Sequence, residues 1–97
     1  MRQLVVRSVA EAELAEAVEW YAGRSPGTAR RFLAAVDEAL ARIRQNPGSF
    51  PVVHGQLRRV LVAQFPYAVY YRMFPTTISI VGVVHGRRHP RHWRRRG

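Results

Sequence analysis

A chain of 97 residues with a formal net charge of +10, 47% hydrophobic residues and no cysteine can bury one modest core. It is too apolar to stay disordered and has no disulfide, thiol chemistry or cysteine-ligated zinc. No apolar run approaches the ~20 residues of a membrane helix and the start carries no secretion signal, so a cytoplasmic protein with no membrane partner is expected. Charge is unevenly placed: all six acids fall between Glu11 and Glu38, and everything after Glu38 holds eleven arginines and no acid. The second half of the chain therefore calls for an anionic partner.

In chain order, residues 3–7 are a short β-type run. Ser8-Val9-Ala10-Glu11 has the S-x-x-E spacing of a capping box, so Ser8 is expected to cap a helix over about residues 9–22. Ala10, Leu14, Ala17, Val18 and Tyr21 make its apolar stripe, and Glu13, Glu16 and Glu19 read as a solvated face. Gly23 suits the helix end, and Ser25 or Thr28 can cap a second helix. That helix carries Phe32, Leu33, Val36, Leu40 and Ile43 on one face. It ends at Asn46-Pro47-Gly48, because proline disfavours helical backbone in the residue before it. Two helices with so short a link form an antiparallel hairpin that needs a sheet to cover.

Residues 52–55 read as a loop or short edge strand. Strands follow over about 58–65, 67–74 and 78–85, with Pro75-Thr76-Thr77 turning the last two into a hairpin. On the middle strand Tyr67, Val69, Tyr71 and Met73 share a face that reads as core, while Ala68, Tyr70 and Arg72 share one expected to be partly open to solvent or a partner. The fold class is α+β in two layers: an N-terminal strand and an antiparallel helical hairpin packed on a mostly antiparallel, three- to four-stranded sheet. One domain, 1–97, with a basic tail over 86–97, is expected. The pattern leaves the place of the N-terminal strand open.

The last strand runs into a cluster of arginines and histidines. His85, His89 and His92 are spaced four and three apart, but arginines surround them, no carboxylate is near and Pro90 interrupts any helix. No metal or other cofactor is expected. On composition alone, the tail fits an arginine-rich surface for RNA or DNA.

Several short stretches then occur in one order over nearly the whole chain. They are Glu16-Ala17 with Trp20-Tyr21, Arg31-Phe32-Leu33, Asn46-Pro47, Leu57-Arg58-Arg59, Phe65-Pro66-Tyr67 with Tyr70-Tyr71, and Val84-His85-Gly86-Arg87-Arg88 followed by Pro90 and Trp93. Together they resemble the RelE/ParE toxin superfamily, most of all its ParE-type, plasmid-stabilisation branch. The resemblance implies the toxin of a type II toxin–antitoxin pair, held in a hetero-oligomer by a cognate acidic antitoxin. Its ParE branch poisons DNA gyrase; its RelE branch cleaves messenger RNA on the ribosome. Where RelE-type nucleases carry an arginine after the tyrosine of the middle strand, this chain has Ala68. Where they carry a proton-transferring tyrosine near the C-terminus, it has Trp93. The resemblance thus favours a gyrase inhibitor with no catalytic residues. A nuclease would have to rely on His85, Arg87, Arg88 and His89. Arg87, Arg88, Arg91, Trp93 and Arg94 are the expected target-binding residues, and Arg58, Arg59, Tyr70 and Arg72 the expected antitoxin-binding ones.

Overall fold

The structure, a computed structural model, describes residues 2–86. The expectations placed on Arg87, Arg88, His89, Arg91, Trp93 and Arg94 lie outside the described residues. The elements in chain order are β1 (Gln3–Val6), α1 (Ser8–Ala22), α2 (Pro26–Gln45), a 3₁₀ turn (Pro47–Ser49), β2 (Val52–His54), β3 (Leu57–Leu61), β4 (Tyr67–Met73) and β5 (Thr77–His85). The sheet order is β1-β5-β4-β3-β2. β1 lies parallel to β5, with Gln3 opposite Thr77 and Val6 opposite Ile80, and every other pair is antiparallel. The expected α+β layering is thus present, with five strands instead of three to four. The added strands are β1, docked on the last strand, and Val52–His54 at the opposite edge. A four-residue strand pairing with the far end of the chain carries no local sign of its partner.

Helix α1 begins one residue earlier than the capping pattern suggests. Arg7, extended at φ −72° and ψ 156°, takes the cap position, and no side chain caps the helix. The reason is strand pairing: the Arg7 N–H donates to the Ile80 carbonyl at 2.9 Å and its Nε donates to Ser79 Oγ at 2.7 Å. Arg7 is therefore held extended to the edge of β5, and Ser8 falls inside the helix. Helix α2 starts as expected, with Ser25 Oγ accepting the Thr28 N–H at 3.4 Å and Pro26 in the first turn. Its buried stripe is Ala29, Phe32, Val36, Ala39 and Ile43, whereas Leu33 is exposed. Spacings of three and four from Phe32 pass through the alanines and leave Leu33 off the stripe.

Between hairpin and sheet the Phe32 ring lies 4.9 Å from Tyr21, 5.2 Å from Phe65 and 5.1 Å from Tyr67, so one aromatic cluster joins both helices to the sheet. Phe65 reaches it from a turn, because β3 stops at Leu61 instead of running to residue 65. The Val62 N–H donates to the Tyr67 carbonyl at 2.9 Å, and Gln64 adopts a positive φ of 68°.

β5 contains a bulge. Tyr70 stands opposite Gly82 and Tyr71 opposite Ile80, leaving Val81 as the extra residue. The bulge reverses the alternation, so Ile78, Ile80 and Val83 face the hairpin while Val81 and Val84 face away. On that second face Leu57, Ala68, Tyr70, Val81 and Val84 pack together with Val53. Ala68 and Tyr70, expected to be partly open, are 3% and 5% exposed. β5 is apolar on both sides, so small and aromatic neighbours on β4 find apolar company on either face. Among the described residues no helix is long and apolar enough to cross a membrane.

Candidate interaction site

The arginines of β3 and β4 do not form one patch. Arg58 stands opposite Tyr71, and Arg59 opposite Tyr70, so neighbouring guanidiniums leave the sheet on opposite sides. Arg58 is on the hairpin side. Its Nη1 donates to the Phe50 carbonyl at 2.6 Å and to the Gly48 carbonyl at 3.2 Å. The Tyr71 hydroxyl donates to the Pro47 carbonyl beside them. Burial pushes the Tyr71 phenol above its ordinary pKa, an effect the Arg58 charge partly offsets. Arg58 thus serves the segment joining α2 to β2. Arg59, Tyr70 and Arg72 share the other face. There Tyr70 is buried, and the Arg72 Nε is enclosed without a hydrogen-bond partner among the described residues.

At the opposite end of β4 and β5 the surface changes character. Tyr67 pairs with His85, and the two rings meet edge to face at 5.2 Å. His85 and Tyr67 form one wall of a groove of about 760 Å³ whose other wall is α1, contributing Glu13, Glu16, Glu19, Trp20 and Tyr21. Trp20 is 54% exposed, and the Arg24 guanidinium stacks on it 3.9 Å from the ring centre. Tyr21 is core, as expected, and burial raises its pKa, with Arg24 acting in the opposite sense. The α1 glutamates, read from the sequence as a solvated face, therefore line a concavity. Glu13 goes further, since its Oε1 accepts the Val83 backbone N–H at 3.0 Å. A signal for this was present: Glu13 is three residues after Ala10 and four before Ala17, both buried, which places it on the inner side of the helix.

Of the groups a nuclease would need, only His85 belongs to the described residues, and its ionisable neighbours in the groove are carboxylates and phenols. Among the described residues no group of three or more histidine, aspartate or glutamate side chains could hold a metal ion.

The described residues thus form a helical hairpin on a mixed five-stranded sheet, with the first strand parallel to the last. The family model described as the ParE toxin of the type II toxin–antitoxin system, parDE, matches residues 4–90, and the chain belongs to that family. Among solved structures it is similar to the chromosomal ParDE TA system from P. aeruginosa. That match has a TM-score of 0.78 at 18% identity and covers 88% of this chain and 96% of that chain; at this identity the likeness speaks for the fold. No curated protein matches the chain. The protein is a ParE-type toxin of a type II toxin–antitoxin system.

Proposed function

We propose that this toxin arrests growth by binding and poisoning DNA gyrase in the cytoplasm, without catalysis of its own, and that a cognate acidic antitoxin neutralises it. Membership of the ParE family supports gyrase as the target. The observation that carries the choice over RNA cleavage is Ala68. It stands where the nuclease branch places an arginine, and it is packed at 3% exposure against Leu57, Tyr70 and Val84. A buried alanine offers no charge to steady a phosphate, and the surrounding apolar cluster would penalise one.

In this reading residues 1–97 act as one domain. The segment from Gly86 onward carries the target contacts through Arg87, Arg88, Arg91, Trp93 and Arg94. The antitoxin lays carboxylates against Arg59 and Arg72 on β3 and β4, with Arg58 and Tyr70 of the same two strands supporting the contact. The test is a supercoiling assay with purified gyrase, run beside primer extension on messenger RNA after induction. Loss of supercoiling with intact transcripts is the expected result. Codon-positioned cuts that vanish in Arg87→Ala would overturn the proposal and assign the toxin to the nuclease branch.

A further inference from the structure

On β5, Ile78 and Ile80 face the hairpin, so Ser79 between them faces away from it. Ser79 is a polar side chain buried to 3% exposure, and it stands between Val5 of β1 and Arg72 of β4 in the sheet. Leu4 and Val6 pack on the hairpin side, which puts Val5 and Arg7 on the face of Ser79. Arg7 reaches Ser79 Oγ through its Nε at 2.7 Å. Arg72 comes from the other side, across a cross-strand pair whose side chains start ~5 Å apart. Two guanidiniums thus flank one hydroxyl.

This arrangement is electrostatically incomplete. The Arg72 Nε is enclosed and has no hydrogen-bond partner, and Arg7 commits only its Nε, so its terminal nitrogens are free among the described residues. Every acidic side chain of the protein lies on α1 or α2, and these helices cover the opposite face. An enclosed, unpaired charged donor is costly, and a second cation beside it adds repulsion. An anion arriving from outside removes both costs.

We propose that Arg7, Ser79 and Arg72 form a receptor for one side-chain carboxylate of a protein partner. A guanidinium fork gives a carboxylate two parallel N–H bonds, and the Ser79 hydroxyl, which accepts from Arg7, still has its own proton to donate. The surroundings select a protein over a nucleic acid. Val5 stands opposite Ser79, and Phe74, two positions beyond Arg72, is 41% exposed; both offer apolar contact that a phosphate backbone cannot use. Nucleic-acid binding draws on several accessible cations, whereas Arg72 is half-buried and of this pair only Arg7 is exposed. The inference rests on the antitoxin reading of Arg72 and deepens it: Arg7 and Ser79 join the contact, and the acidic residue they take lies between apolar ones.

The test follows the arginine Nε–H signals of the full-length toxin by NMR, with those of Arg7 and Arg72 assigned from Arg7→Gln and Arg72→Met. The probe is a blocked tripeptide with a glutamate between two leucines, and its control has glutamine in the centre. Both signals should shift to saturation with the glutamate peptide, and the control should bind about ten- to a hundredfold more weakly, the usual range for a charged hydrogen bond. Arg7→Gln, at an exposed position, should keep the fold and lose about tenfold in affinity for the glutamate peptide. Without peptide, Arg72→Met should melt no lower than the parent, because it removes an unpaired donor and keeps the apolar stem. A lower melting point would make Arg72 a structural residue and overturn the proposal. So would signals that the peptide leaves unmoved, or a stronger response of the same two signals to an oligothymidine. An antitoxin that binds the double variant as tightly as the parent, while the peptide does not, would uphold the receptor and overturn only its assignment to the antitoxin.

Discussion

The carboxylate of Glu13 on the first helix accepts a hydrogen bond from the backbone N–H of Val83 on the last strand, at 3.0 Å and across 70 positions of sequence. The contact stands where a neighbouring strand would otherwise be. β1 pairs with β5 only as far as Ile80, after which the chain turns into α1. The next part of the β5 edge, with its extra residue Val81, would expose an unpaired donor. A helix side chain takes over from the strand.

Glu13→Ala should therefore destabilise the toxin by about 1–3 kcal/mol, the usual cost of leaving a partly buried donor without its charged acceptor. Glu13→Gln keeps an oxygen in place and should cost less. Urea denaturation of the two variants, compared at equal m-value, checks the order.

Tyr71→Phe removes the hydroxyl that donates to the Pro47 carbonyl and should cost about 0.5–1.5 kcal/mol. The pH dependence has a definite sign. Burial raises the Tyr71 and Tyr21 phenols above their ordinary value of 10.0, so the folded state favours the protonated form. The stability this provides is fully present below pH 10, and is lost as the pH rises above the unfolded value and through the folded one. The thermal midpoint should fall above pH 10, less steeply in Tyr71→Phe than in the parent.

Phe32 sits at the centre of the Tyr21, Phe65 and Tyr67 rings and is fully buried. Phe32→Ala should cost about 3–5 kcal/mol. Because Phe32 is the ring through which α2 meets both α1 and the sheet, hydrogen exchange should accelerate in the hairpin and in β4 together.

For the proposed target, Trp93→Ala should weaken gyrase binding by about 2 kcal/mol, the size of an interface hot spot. Truncation after Pro90 should abolish inhibition of supercoiling while antitoxin binding persists, since the antitoxin contacts are proposed on the strands. Full inhibition by the truncated toxin would move the target surface to the sheet or the hairpin.

Much of this architecture is written in local pattern. The hairpin, its apolar stripes apart from Leu33, the turn at Pro47 and the β4–β5 hairpin follow from spacings within a few residues, where periodicity and backbone preference act directly. What tertiary structure alone decided are the long-range relations. Pairing with Ile80 kept Arg7 extended and cancelled the capping box that Ser8 and Glu11 spell out. The bulge at Val81 reversed the faces of β5, and a sheet apolar on both sides buried Tyr70 and Ala68. The end of β1 left a donor on Val83, and that donor drew Glu13 out of the solvated face that its charge suggests. Each of these depends on which backbone groups another element leaves unpaired, and that is settled only when distant strands choose their register.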